Sequence, residues 1–169
     1  MVSDRSIDDT DRGLLAELSA DGRASMRSLA QRLHISRANA YMRVERLLRE
    51  GVIRGFAARL DPERAGLRTS AYVTVSIEQN AWRDVCAHLR EIRYVEHVAL
   101  VGAEVDVVAL VRTPDNAALR HVVLEQIQAV PGVESTRTWL IFAEVDGRGP
   151  HWASSAAVTQ PGPPTGDPS

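Results

Sequence analysis

Near the start of the chain, apolar residues recur at three- and four-residue spacing in three short runs, the period of helices that each turn one face inward. Leu14, Leu15 and Leu18 make the first run, entered through Asp8, Asp9, Thr10 and Asp11 and stopped by Asp21-Gly22. Carboxylates favour a first turn because unpaired N–H groups and the helix dipole attract negative charge there. Met26, Leu29, Ala30 and Leu33 form the second run behind a Ser25 cap, and His34-Ile35 makes a turn. A third run starts at the capping residue Ser36, places Ala40, Val44, Leu47 and Leu48 on one side, and ends at Gly51. The second and third runs are only about three residues apart, a connection that crosses two helices steeply, so the pattern predicts a helix-turn-helix unit.

Past residue 69 the period changes to two. Residues 70–78 alternate larger apolar with smaller or polar side chains, as a half-buried strand does. Trp82, Val85, Cys86 and Leu89 then return to helical spacing. Strand-like stretches follow at 95–101 and 105–111, a helical stretch at 115–129 and a last strand at 133–145. Strand, helix, strand, strand, helix, strand is the ferredoxin-like order, with helices on one face of an antiparallel sheet. The other face needs a cover, and a second copy of the same sheet supplies one, so a two-fold homodimer is expected.

The fold class expected is therefore α+β. An N-terminal helix-turn-helix (winged-helix-like) domain occupies residues 1–51. An extended apolar linker strand and a turn-rich connector occupy 52–69, and the ferredoxin-like βαββαβ domain 70–146. Residues 147–169 are dominated by Gly, Pro, Ser, Thr and Ala, which cannot bury a core, so a disordered tail is expected.

Charge sharpens this division. The chain carries a formal charge of −2, yet all 20 basic residues are arginine and they are unevenly placed. From residue 23 to 59 nine arginines face only Glu45 and Glu50, a local balance of +7, while 1–22 sum to −4 and 60–169 to −5. A basic segment between acidic flanks is what a polyanion-binding module needs, since neutralising phosphates releases counterions. A solvated helix face would carry the same charge, and a packing module of three helices the same periodicity.

On the third helix the inward stripe leaves Ala38, Met42, Glu45, Arg46 and Arg49 pointing outward, flanked by Asn39, Tyr41 and Arg43. The start of the second helix of such a unit meets base edges in the major groove, so Arg37, Ala38, Asn39 and Met42 are the candidate readers, with the cap Ser36 beside them. Arginine suits guanine, asparagine adenine, and small apolar groups the thymine methyl. Arg27, Arg46, Arg49 and Arg54 are placed to grip phosphate. Arg43 lies near the core-side boundary, open to a structural, backbone-positioning or base-contacting role.

Other chemistry is thinly represented. Cys86 is the single cysteine, which excludes an intrachain disulfide and a multi-cysteine metal site. His34, His88, His97, His121 and His151 show no ligand spacing and no nucleophile motif beside them, so neither a metal nor catalysis is expected. No apolar run reaches the roughly 20 residues that cross a bilayer. The first residues also lack the apolar core of a secretory signal, so a cytoplasmic protein without cofactor or membrane partner is expected.

In order along the chain stand Ile7-Asp8-x-x-Asp11, Asp21-Gly22-Arg23, Leu29-Ala30, Ile35-Ser36, Arg43-Val44-x-Arg46-Leu47, Glu50-Gly51-Val52-Ile53, Gly55-Phe56-x-Ala58 and Leu60-Asp61-Pro62. This set resembles the Lrp/AsnC, or feast/famine, transcription regulators, and Pro131-Gly132-Val133 and Thr136-x-Thr138 extend the resemblance to about residue 146. It implies a regulator that binds double-stranded DNA as a homodimer or as an assembly of dimers such as an octamer. It also implies that the linker strand pairs with its two-fold mate, and that the second domain senses a small effector, often an amino acid.

In that family a Gly-x-x-Asp loop between the second and third strands, near an interface between dimers, helps hold the effector. This chain has Ala103-Glu104-Val105-Asp106 with Gly102 one position early, so the aspartate is kept and the glycine displaced. An ammonium group needs an acceptor and a carboxylate needs donors, which makes Gly102, Ala103, Glu104, Asp106, Thr136 and Thr138 the candidate effector residues. An architectural protein that wraps DNA with weak sequence preference and no effector response is the alternative. A third reading is an amino-acid-binding subunit of a metabolic enzyme.

Overall fold

The computed structural model describes residues 7–102 and 105–145. They divide into two compact units, one ending at Ala58 and the other running from Arg59 to Val145. The tail expected beyond residue 146 lies outside the described residues, as do Ala103 and Glu104.

Three helices build the first unit: α1 (Asp9–Ala20), α2 (Met26–Arg32) and α3 (Arg37–Arg49). Each starts on a side chain that accepts an otherwise orphaned backbone N–H. Asp8 caps α1 reciprocally: its Oδ1 accepts from Asp11 N at 2.8 Å, and Asp11 Oδ2 accepts from Asp8 N at 3.2 Å. Ser25 Oγ accepts from Ser28 N, and Ser36 Oγ from Asn39 N, both at 3.1 Å. Leu14, Leu18, Leu29 and Val44 form the buried centre, with Met26, Leu33, Leu48 and Ile53 packed around it.

The turn between α2 and α3 depends on one unusual backbone. His34 sits at φ 52°, in the left-handed region, and the reversal lets Ile35 N donate to Ala30 O at 3.0 Å. Gly51, at φ 72°, ends α3 in the same region, where a glycine pays no Cβ penalty. Residues 54–60 belong to no helix or strand of the single chain.

The second unit contains β1 (Thr69–Ile77), α4 (Trp82–Leu89), β2 (Val95–Leu100), β3 (Val107–Thr113), α5 (Asn116–His121) and β4 (Val133–Ile141). Its strands lie in the order β2-β3-β1-β4, every neighbouring pair antiparallel, which is the ferredoxin-like sheet. The helical stretch read at 115–129 divides: α5 runs into a wider, π-helical turn over Val122–Ile127. The extra residue in that turn brings Val122, Val123 and Ile127 all into the core. β4 ends at Ile141, short of the expected 145, because its ladder with β1 closes at Ser70.

Alternation along the strands separates two faces. Ala71, Val73, Val75, Val107, Ala109 and Val111 are fully buried beneath Val85, Leu89, Leu119 and Ile127 of the helices. On the opposite face a cross-strand row runs His97, Leu110, Tyr72, Trp139, and no helix of this unit covers it. Trp139 is 63% exposed there.

Candidate nucleic-acid interface and effector loop

α3 presents two different faces beyond its core stripe. Arg37, Ala38, Tyr41, Met42, Glu45 and Arg49 are exposed, with Tyr41 at 57% and Met42 at 66%. Asn39, Arg43 and Arg46 are half-buried on the side where α3 meets the start of α1. There Arg43 Nη1 donates to Asp8 Oδ1 and Oδ2 at 2.9 and 2.7 Å and to Asp11 Oδ1 at 2.8 Å, while its Nε donates to Asn39 Oδ1 at 2.7 Å. Arg46 donates through Nη2 to Asp11 Oδ2 at 2.5 Å and through Nη1 to Glu50 Oε2 at 3.2 Å. The Asp11 side chain, shared by both arginines, is 1% exposed.

These contacts revise the charge reading. Arg46, expected to grip phosphate, is spent on Asp11 and Glu50, and Arg43 on Asp8 and Asp11. Arg32 pairs with Glu17 of α1. The acidic first segment thus folds back on the basic one and neutralises part of its +7, which no count along the chain reveals. Arg23, Arg27, Arg37, Arg49 and Arg54 remain exposed without an ion pair to a described residue, and they carry the positive surface. Ser36 holds the helix start with its hydroxyl oxygen, which leaves the O–H able to donate outward. Two responses to pairing accompany the cluster. The backbone N–H of Asp11, with help from Arg43, holds the Asp8 carboxyl below its ordinary range, and hydrogen bonds from Arg43 to Asp8 and Asp11 raise that guanidinium further.

In the second unit, Asp106 N donates to Val75 O at 3.2 Å, and Val101 N donates to Asp106 O at 2.8 Å, so the residue closes the loop between β2 and β3. Its carboxylate is already engaged, with Oδ2 accepting from Ile77 N at 2.9 Å. Gly102 is exposed, and a Cβ built there would meet open space. Thr136 and Thr138 lie across β1 from this loop, paired with Val75 and Val73. Thr136 Oγ1 accepts from Gln128 Nε2 at 2.8 Å. The described candidates, Gly102, Asp106, Thr136 and Thr138, therefore gather around the end of β1, on its two sides. A cavity of about 280 Å³ lined by Cys86, Arg90, Val95, Glu96, His97 and Val98 contains none of them.

A cluster that sequence reasoning missed lies on the uncovered sheet face. Arg112, 11% exposed, donates through Nε to Glu96 Oε2 at 2.6 Å and through Nη1 to Ser70 Oγ at 2.9 Å. It also grips both oxygens of Glu144, at 2.6 and 3.1 Å. One arginine thereby ties β1, β2, β3 and the segment after β4. Hydrogen bonding to Arg112 holds the Glu144 carboxyl below its usual range. The buried pattern of β3 was the available signal, since an arginine inside an otherwise apolar strand needs partners. Among the described residues no group of His, Cys, Asp and Glu could hold a metal, and no helix is long and apolar enough to cross a membrane.

A three-helix unit with an arginine-flanked helix, joined to a ferredoxin-like domain, defines a DNA-binding regulator with a separate ligand-binding part. Comparison with known proteins agrees for both units. Residues 7–54 match the winged helix-turn-helix DNA-binding model, and residues 70–150 match the Lrp/AsnC ligand binding domain. The transcriptional regulator AldR of Mycolicibacterium smegmatis is 36% identical over 152 residues, 88% of this chain and 89% of that protein. The leucine-responsive regulatory protein of Salmonella typhimurium is 31% identical over 144 residues, covering 83% and 88%. Among solved structures, the feast or famine regulatory protein of M. tuberculosis complexed with L-methionine is 35% identical, with a TM-score of 0.79 over 88% of this chain and all of that one. A Neisseria meningitidis transcriptional regulator in complex with L-Met is 27% identical, with a TM-score of 0.76 over 84% and 94%.

The chain belongs to the Lrp/AsnC family of DNA-binding transcription regulators. Its relatives are regulators, so it is not an enzyme, and the family assignment lends nothing to the DNA-wrapping alternative.

Proposed function

We propose that this regulator reads a discrete DNA sequence through the start of α3 and that an amino acid or closely related metabolite, bound near the loop at Asp106, changes its DNA affinity or its assembly. The observation that carries the reading is the composition of the exposed α3 face. Arg37, Ala38 and Met42 stand at the end that would enter a major groove, and Arg27, Arg49 and Arg54, with no ion pair to a described residue, are placed to meet phosphates. Asn39 stands beside them, its amide oxygen held by Arg43 and its NH2 without a partner among the described residues.

The homodimer fits the same picture, because the open sheet face carries Tyr72 and Trp139 where a second copy would bury them. Residues 1–51, 52–69 and 70–146 serve as DNA-binding domain, linker and effector-sensing domain, working in the cytoplasm where the DNA is. The effector acts by linkage: it shifts DNA binding only as far as it prefers one conformation or assembly. The methionine bound by two relatives supports an amino acid as ligand class.

A thermal-shift screen of amino acids tests the effector, since a ligand of the folded form raises its melting temperature by mass action. Asp106→Asn is the informative variant, because it keeps an acceptor for Ile77 N while removing the charge that would face an ammonium group. The expected result is loss of the shift with basal DNA binding intact. A shift that persists moves the effector site elsewhere.

A further inference from the structure

We propose that Arg43 is a positioning residue that fixes the orientation of the Asn39 amide, so that Asn39 presents its NH2 to DNA and reads guanine instead of the adenine that asparagine usually reads. The inference rests on the reading of α3 as the base-contacting helix, and it adds which base one position of that helix selects.

Asn39 lies in the first turn of α3, one turn before Arg43, and the two side chains meet as i, i+4 neighbours. Arg43 Nε stands 2.7 Å from Asn39 Oδ1. A guanidinium nitrogen only donates, so the amide atom facing it has to be the oxygen, and the ordinary ambiguity between the two ends of an asparagine is resolved by its partner. The NH2 group has no hydrogen-bond partner among the described residues and is the side left for a ligand.

Arg43 in turn does not swing freely. Asp8 holds its Nη1 through both oxygens, and Asp8 is itself fixed as the reciprocal cap of α1. Asp11, buried and shared with Arg46, holds the same nitrogen from the other side. A chain of hydrogen bonds thus runs from the first turn of α1 to the first turn of α3.

Adenine is read when an asparagine donates to N7 and accepts from N6 together. With its oxygen drawn toward Arg43, Asn39 loses much of the second half of that pairing. Guanine offers N7 and O6, two acceptors, and an NH2 group satisfies them as a donor alone. Cytosine, which offers only its amino donor in the major groove, is the base most strongly rejected.

The test is selection from a random-sequence DNA library with the full-length protein. Affinities are then measured on four operators that differ at the position whose enrichment disappears in Asn39→Ala. Guanine is expected there for the wild type. Arg43→Met frees the Asn39 oxygen and should move the guanine-to-adenine ratio toward adenine on the order of tenfold. The salt dependence should stay the same, because the Arg43 charge is already paired. Asn39→Asp keeps an acceptor for Arg43 while replacing the NH2 with oxygen, and it should lose guanine and gain cytosine. If Arg43→Met does not fold, this second variant decides.

Adenine selected by the wild type, a folded Arg43→Met protein that keeps the guanine preference, or an Asn39→Asp protein that keeps it overturns the proposal. Loss of stability with unchanged base preference would leave the network a purely structural tie. A wild type that enriches no motif removes sequence-specific reading itself, and this inference with it; a motif with the wrong base removes only this inference.

Discussion

The two units solve the same electrostatic problem with opposite stoichiometry. In the helix-turn-helix, one buried carboxylate, Asp11, serves two arginines of α3. In the sheet domain, one buried arginine, Arg112, serves two carboxylates, Glu96 and Glu144, which stay more than a third exposed. A buried charge is costly unless paired, so each centre depends on its partners, but the partners depend on the centre unequally. If Arg112 is lost, water can take over Glu96 and Glu144. If Asp11 is lost, Arg43 keeps Asp8 and Arg46 keeps Glu50, but both half-buried guanidinium groups lose the buried acceptor they share against α1. The first cluster therefore sets the seat of α3 against α1, whereas the second staples strands on the open face of the sheet.

Asp11→Ala should break this comparison most severely. Removing the buried carboxylate that two arginines share costs about 3 kcal/mol, below the full penalty of an orphaned buried charge because Asp8 and Glu50 remain, and enough to melt the first unit ahead of the second. Amide hydrogen exchange should show protection lost in α1 to α3 and kept in the sheet; equal loss in both units would contradict the difference drawn here. Arg112→Met should cost less, about 2 kcal/mol, because its partners regain water. A chemical denaturation curve on the full chain measures it.

The same staple has a pH signature. Arg112 lowers the Glu144 carboxyl below its ordinary value of 4.5, so the contact contributes its full stability above that pH. The contribution is lost as pH falls through the lowered folded value, and Arg112→Met should flatten this part of the acid-unfolding profile. An unchanged profile would mean that Glu144 does not feel Arg112 in solution.

Smaller effects sharpen the division of arginines. Arg49→Ala should weaken binding on every DNA sequence alike and reduce the salt slope by about one unit. An unchanged slope would remove Arg49 from the phosphate contacts. His34→Gly should be the mildest change. It relieves a left-handed side chain at the helix-turn-helix corner and adds chain entropy to the unfolded state, a net gain under about 1 kcal/mol. A falling melting temperature would show that the imidazole does more than occupy the turn.

Local features of the fold were legible along the chain. The capping residues Asp8, Ser25 and Ser36 act within three residues of themselves, and strand alternation reports directly on which face is buried. The Arg43–Asp8 contact, by contrast, joins residues 35 apart, so helical position alone made Arg46 look like a surface residue and left Arg43 open. Similarly, Asp106 stood out as an effector candidate through the loop motif, but its bond to Ile77 exists only once β1 and the loop are side by side. The π-helical turn at Val122–Ile127 has no marker in its residues, since neither proline nor glycine interrupts them.

Footprinting of the full-length protein on several unrelated DNA fragments, alongside one carrying its selected motif, tests sequence-specific recognition by α3 most directly. The account predicts protection confined to two half-sites related by two-fold symmetry, about 10 base pairs apart or a multiple of that, and lost with Arg37→Ala. Periodic protection of every fragment, indifferent to that substitution, would contradict it.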